Sequence, residues 1–295
     1  MKKIIISLIL PLLILISCKK ETNQSIPKPE KETFNIKLVA KGEINMKEGL
    51  MAAAVAPVLD SLINQLTLVL HKADDGKEFL RMVQFKNSGF FGQFDVKVPK
   101  DNYLITLVGS KSSFGINQYY KPHDSNPILL PYEDAHMEYE QPTPLMGEKF
   151  NKTDDTFFIS RLYTINSDMD IDFVLERIVG KLEVVVDDVD DYAVTIPNDA
   201  TGYLFSSQSS FGNTEEGNAK QVDNSKGPIS VLVLRTDKAL NIEISGAGKT
   251  KVMAVPIFKN QRTVVRGKLL APSSKSAFAV SVNTEWLPDS TEVIF

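Results

Sequence analysis

The chain has 295 residues, 43% of them hydrophobic and 24% charged, with a formal net charge of −4 and a single cysteine. That is enough apolar material for one large or two ordinary domains with buried cores. One cysteine excludes an internal disulfide and any multi-cysteine metal cage, and a mildly acidic chain without a basic cluster argues against nucleic acid as a partner.

The first segment is a greasy run. Lys2 and Lys3 precede an Ile/Leu stretch from Ile4 to Ile16 that is interrupted only by Ser7 and Pro11. A membrane-spanning helix needs about 20 apolar residues, so the run fits the hydrophobic part of a signal sequence instead. It closes on Leu15-Ile16-Ser17-Cys18. Cys18 could be a chance free thiol, but its surroundings resemble a bacterial lipobox, with cleavage between Ser17 and Cys18 and a lipid on the cysteine sulfur. Residues 1–17 are therefore expected to be a lipoprotein signal peptide. Processing would remove Lys2 and Lys3, leaving 31 basic against 37 acidic residues. The predicted location is the outer membrane, lipid-anchored, because Lys19 stands where an aspartate would favour inner-membrane retention; the leaflet is left open, with the cell surface or fimbrium as the expected setting. Residues 18–33 are polar, carry Pro27 and Pro29, and read as a flexible tether. Fully extended, the tether would reach roughly 50 Å.

Beyond it the rhythm is that of strands. FNIKL (34–38), QLTLVLH (65–71), FDVKV (94–98) and YLITLVG (103–109) alternate apolar and polar residues with period two. Residues 94–108 read as a hairpin around Pro99-Lys100-Asp101-Asn102. The same period returns in KLEVVV, ISVLVL, LNIEI, TVVRGKLL, AFAVSV and TEVIF. Two stretches look helical: Leu50–Leu62, which carries Pro57, and Tyr132–Glu140. Residues 110–155 form a loop-rich zone with Pro122, Pro127, Pro131, Pro142 and Pro144. The expected fold is all-β, two tandem antiparallel β-sandwich domains at 34–167 and 168–295. No sequence repeat links the halves.

Candidate active sites fail on their own chemistry. GAGKT (246–250) has Glu243 where a phosphate-binding loop needs glycine, and it precedes a strand, so a hairpin turn is the expectation. Asp187, Asp188, Asp190 and Asp191 lack the glycine and distal glutamate of a calcium loop and read as solvated. His71 adjoins an Asp74-Asp75-Gly76 turn, and His123 and His136 lack paired-ligand spacing. There is no catalytic cysteine or serine elbow, and the one tryptophan, Trp286, reads as core. No catalytic residue, metal ligand or cofactor is expected, and the chain is not expected to be an enzyme.

The order of segments resembles that of the fimbrillins of the Bacteroidota and their lipid-anchored anchor or accessory subunits. The landmarks are INQLTLVLHKADDGKEF, then FDVKVPKDNYLITLVG, then Leu175, Arg177 and Lys181 in FVLERIVGKLEVVV, and finally KNQRTVVRGKLL before AFAVSVNTEW. The turn at Lys100-Asp101-Asn102 lacks the glycine common there. The resemblance implies transthyretin-like sandwiches and a subunit of a fimbrium, or pilus, concerned with cell adhesion. Its partners would be other fimbrial subunits, joined by strand addition, with the membrane reached through Cys18. Stalk subunits of this family lose their N-terminal segment to a protease. Here the first arginine, Arg81, lies beyond a strand, while Lys41 and Lys47 are expected in a loop where such a cut could fall. Thr291, Glu292, Val293, Ile294 and Phe295 form a possible donor strand. The competing expectation is a carbohydrate-binding surface lipoprotein of a nutrient-uptake system, which should display several exposed aromatics.

Overall fold

The computed structural model describes residues 31–42, 59–116, 119–120, 127–139, 153–212, 220–224, 227–271 and 278–283. In chain order, β1 (Thr33–Gly42), a single helical turn α1 (Leu59–Leu62), β2 (Gln65–Lys72), β3 (Glu78–Phe85), β4 (Gln93–Pro99) and β5 (Asp101–Ser110) come first. Four short strands follow: β6 (Phe114–Ile116), β7 (Tyr119–Tyr120), β8 (Pro127–Ile128) and β9 (His136–Tyr139). Then come β10 (Thr156–Ile165), β11 (Met169–Arg177), β12 (Gly180–Val186), β13 (Tyr192–Ile196), β14 (Gly202–Leu204), β15 (Ser209–Phe211) and β16 (Lys220–Asn224). The last are β17 (Ile229–Val233), β18 (Leu240–Gly246), β19 (Lys249–Val255), β20 (Arg262–Gly267) and β21 (Ala279–Asn283). The all-β expectation holds.

Seven strands run in the order β3-β2-β5-β10-β11-β1-β4. β10 and β11 pair only at Phe157–Arg177 and Phe158–Glu176, so the ladder divides there into two layers. Between the layers, Ile36 and Leu38 of β1, Phe94 and Val98 of β4, and Phe173 and Leu175 of β11 pack with Leu66, Leu68, Tyr103, Ile105 and Leu107. Period-two alternation delivers this, since every second side chain points the same way. Each such burial is worth about 1.5–3 kcal/mol.

Three expectations are corrected. β4 and β5 are not a hairpin: β4 pairs with β1, and β5 pairs with β2 and β10 in the other layer. The chain crosses between layers at Lys100, and the Tyr103 hydroxyl donates to the Pro99 carbonyl at 3.1 Å to brace that corner. Pairing is not wholly antiparallel either, because β1 runs parallel to β11 and β12 parallel to β20. Of the expected helical stretch Tyr132–Glu140, the described residues 132–139 are not helical. Tyr132–Asp134 is a turn leading into β9, where Met137 and Tyr139 are buried against other strands. Of the other helical stretch, Leu50–Leu62, the described part is α1, which buries Leu59 and Leu62.

The second half repeats the first. β20-β12-β17 matches β11-β1-β4 in order and direction, and β16-β13-β18-β19 matches β3-β2-β5-β10. A second core lies between these layers, built on Leu182, Val184, Val194, Ile196, Val233, Leu240, Ile242 and Val265. β21 is an added strand on β20. Strand β11 lies beyond the expected boundary at Ser167, yet Ile171, Phe173 and Leu175 belong to the first core. The chain passes to the second core at Ile178–Gly180.

A third sheet joins the halves. β6 and β9 come from the segment between β5 and β10, β14 and β15 from the segment between β13 and β16, and they align as β15-β14-β9-β6. This sheet covers the outer face of β2, β5 and β10, where Val69, Val108 and Phe158 pack with Met137, Tyr203, Phe205, Ile178 and Leu234. β2 is therefore buried on both faces over Gln65–His71. Thr33–Phe295 forms one compact unit.

Candidate functional site

Two places in this architecture have functional potential: the slot that holds β1 and the junction between the halves. β1 lies between β4 and β11, in register with β4 over Thr33–Val39 and with β11 over Ile36–Gly42. Its inward side chains Ile36 and Leu38 are fully buried and Ala40 nearly so. On the outward face Asn35, Lys37 and Lys41 meet Asp168, Asp170 and Asp172: the Asn35 amide donates to Asp168 Oδ1 at 2.8 Å, and Lys41 Nζ lies 2.6 Å from Asp172 Oδ2. Chemically the strand is a plug, apolar on one side and soluble on the other. Lys41, expected in a loop, is instead the ninth residue of β1, because the ladder with β11 extends the strand past Leu38 to Gly42. Ser17, Cys18, Lys47, His123, Trp286 and Thr291–Phe295 lie outside the described residues.

At the junction, Arg177 explains why its motif stands where it does. Its guanidinium donates to both Asp155 carboxylate oxygens at 2.6 and 2.7 Å and to Asn260 Oδ1 at 3.0 Å. It also sits 5.0 Å from the Phe157 ring centroid. Asn260 belongs to the β19–β20 loop, so one buried side chain ties β11, the approach to β10 and the second half. A planar fork suits this, since it satisfies several acceptors at once. Leu175 fills the first core and Lys181 enters β12. Nearby, the Tyr139 hydroxyl bonds Thr156 Oγ1 at 2.7 Å, and Thr156 bonds Ser110 at 2.9 Å. Burial pushes the Tyr139 phenol far above its usual range. Lys259 Nζ donates to the Tyr203 hydroxyl at 2.6 Å and to the Gln208 carbonyl at 2.9 Å, and burial lowers its pKa.

β3 is the outer strand of its layer. Val83 and Phe85 lie exposed on one face of it, Phe79 in the bulge beside His71 is exposed with its ring 5.4 Å from that of Tyr103, and Phe90 in the following loop is 82% exposed. That loop is held firmly: Gln84 Nε2 donates to the Gln93 carbonyl at 2.7 Å, its Oε1 accepts from the Gly92 amide at 2.8 Å, and Phe90 sits at φ 62°.

The remaining sequence candidates have structural roles. Ala247 and Gly248, at φ 46° and 71°, turn the β18–β19 hairpin in place of a phosphate loop. Asp187 pairs with Arg266, and Asp188 accepts the amides of Leu269 and Leu270. His136 Nδ1 lies 2.8 Å from the Asp134 carbonyl. His71 closes β2, as the strand reading QLTLVLH had it, but it is fully buried, which a position beside an Asp-Asp-Gly turn did not suggest. No cluster of three or more potential metal ligands occurs among the described residues.

No curated protein matches the chain. Among solved structures, the fimbrial anchor protein Mfa2 from Porphyromonas gingivalis is similar at TM-score 0.54 and 9% identity, covering 85% of this chain and 98% of that one. A candidate polysaccharide-binding protein from Bacteroides thetaiotaomicron matches at 0.52 and 12%, covering 85% and 96%. A candidate adhesin from the same species matches at 0.50 and 12%, covering 86% and 97%. At these identities the likeness is one of fold. The family described as fimbrillin-A associated anchor proteins Mfa1 and Mfa2 matches residues 33–267, and with β1 at the start of that match the chain belongs to this family.

Proposed function

We propose that the protein is a fimbrial anchor or accessory subunit, held to the outer membrane by lipid on Cys18 and associated with other fimbrial subunits by strand addition. Family membership supports the fimbrial role. The observation that carries the finer reading is the position of β1: it completes its own layer between β4 and β11, so a subunit that keeps β1 keeps this slot filled. A subunit that loses it would offer an apolar groove to a partner strand. Lys41 is engaged in that ladder and paired with Asp172, which favours retention. Tethered base or accessory position is therefore preferred over a polymerising stalk role, with Thr291–Phe295 as the strand offered to a neighbour. No catalytic step is assigned to the chain.

Two measurements test this. Metabolic labelling with an alkynyl fatty acid should mark the wild type and not Cys18→Ser; equal labelling of both removes the anchor. Mass spectrometry of the mature N-terminus from native cells should find lipidated Cys18 on assembled protein. A free N-terminus at Gly42 or Glu48 would reassign it as a stalk pilin.

The exposed Phe79, Phe85 and Phe90 favour a second reading, a carbohydrate-binding surface lipoprotein, since stacking platforms for sugars are built from such rings. Loss of glycan-array binding in Phe90→Ala would support it; an array without signal would remove it.

A further inference from the structure

His71 has no ordinary role in this fold. It is fully buried, and both ring nitrogens lack a hydrogen-bond partner among the described residues. A buried polar group left so is costly and asks for an explanation. Its imidazole packs edge-on against Tyr132, ring centroids 5.5 Å apart. The charged groups facing it come from β3: Glu78, opposite it across a bulge, and Arg81, which is ion-paired to Glu78 and donates to the Ile116 carbonyl. From β5 the opposing residue is Leu104, and from the turn it is Tyr132; Glu133 and Asp134 beside Tyr132 are exposed, as is Asp75 of the β2–β3 turn. Lys72, next along β2, is engaged with Asp101 at 3.8 Å.

Among the described residues, one backbone bond ties the Pro131–Ala135 turn to the β2–β3 hairpin. Its other outward bonds run to β10 and to the segment after β14, including Phe205 amide to Ala135 carbonyl at 2.9 Å and Ser206 hydroxyl to Glu133 carbonyl at 2.8 Å. The Tyr132 amide donates to the Gly76 carbonyl at 2.8 Å, and the Tyr132 hydroxyl bonds Ser160 at 2.9 Å and the Phe205 carbonyl at 3.3 Å. The turn leads directly into β9, which pairs with β14 of the other half. We propose that His71 makes the attachment of the shared sheet acid-labile: an imidazole that gains a proton must reach water, and the turn carrying Tyr132 is the element that gives way. β2 cannot yield in its place, since it is paired on both edges and buried on both faces.

Burial, and secondarily Arg81, lower the His71 pKa from 6.5 to about 4. The closed state therefore binds the proton less readily than the open one. Its advantage is complete above pH 6.5 and falls as pH drops through the window to about 4.

Hydrogen exchange of the full chain tests this, read as protection factors corrected for intrinsic rates. Protection at the Tyr132, Ala135 and Phe205 amides should fall about tenfold per pH unit below 6.5, levelling off at about 300-fold below pH 4. The β12, β18 and β20 amides should hold. His71→Phe keeps the ring and removes the titration, so its profile should be flat. An unchanged profile in that variant, or equal loss of protection throughout both cores, overturns the proposal. Should the variant not fold, NMR titration of His71 in the wild type decides it: a pKa near 6.5 overturns the proposal, and one well below it, with local opening at the turn, supports it.

Discussion

β1 and β12 occupy the same place in their respective halves. Each lies between an antiparallel neighbour, β4 or β17, and a parallel one, β11 or β20, and each buries alternate residues in its core. They differ in how the chain reaches them. β12 follows β11 after two residues and begins at Gly180, where an added Cβ would strike Ile257 and come within 2.7 Å of the Phe258 carbonyl. β1 follows the expected tether, and neither of its flanking strands, β4 or β11, is its neighbour in the chain, where α1 and β2 come next. The same seven-strand plan thus yields one half that is closed by its connections and one that could be opened. The two halves differ in connectivity, not in layers.

The junction should show the largest effect. Arg177→Met leaves Asp155 without its buried partner and should cost about 3–5 kcal/mol in chemical denaturation. It should also split one unfolding transition into two, because each half keeps its own core; a single unshifted transition would mean the halves are not coupled here. Next, Leu38→Ala and Leu182→Ala remove equally buried side chains from β1 and β12, and each should cost about 2–5 kcal/mol. Only Leu38→Ala should speed cutting by a lysine-specific protease at Lys41. Equal sensitivity in both variants would break the comparison. Gly180→Ala should cost about 1–3 kcal/mol through overpacking at the entry to β12, measured by the shift in thermal midpoint. The smallest change is Lys41→Ala. With the Lys41 and Asp172 side chains 55% and 61% exposed, its loss should cost under about 1 kcal/mol, indicating that backbone and core hold β1.

Alternation in the sequence made the main strands and both inward faces readable, because period two is a local property. It could not reveal partners. Parallel β1–β11 and antiparallel β1–β4 demand the same alternation, so the direction of pairing left no mark. The corner at Lys100 did leave one: Pro-Lys-Asp-Asn lacks the glycine that a two-residue hairpin favours, whereas the β2–β3 and β18–β19 hairpins carry Gly76 at φ 67° and Gly248 at φ 71°. The shared sheet was invisible because its strands have three or four residues each and gain their burial from segments far apart in the chain. At the junction, Arg177 was noticed as part of a motif, but its partners Asp155 and Asn260 lie 22 and 83 residues away. The repeat of topology between the halves likewise has no counterpart in residue identity.

The staggered ladders of β1 have a mechanical consequence. β4 grips the strand over Thr33–Val39 and β11 over Ile36–Gly42, with overlap only between Ile36 and Val39. A pull arriving at Thr33 along the strand would load these backbone bonds in shear, many at once, and would not peel them singly. The stagger passes tension from β4 to β11, and Arg177 at the far end of β11 carries it into the second half. Were the chain the base of a fimbrium, as proposed, drag on the appendage would load this ladder in shear.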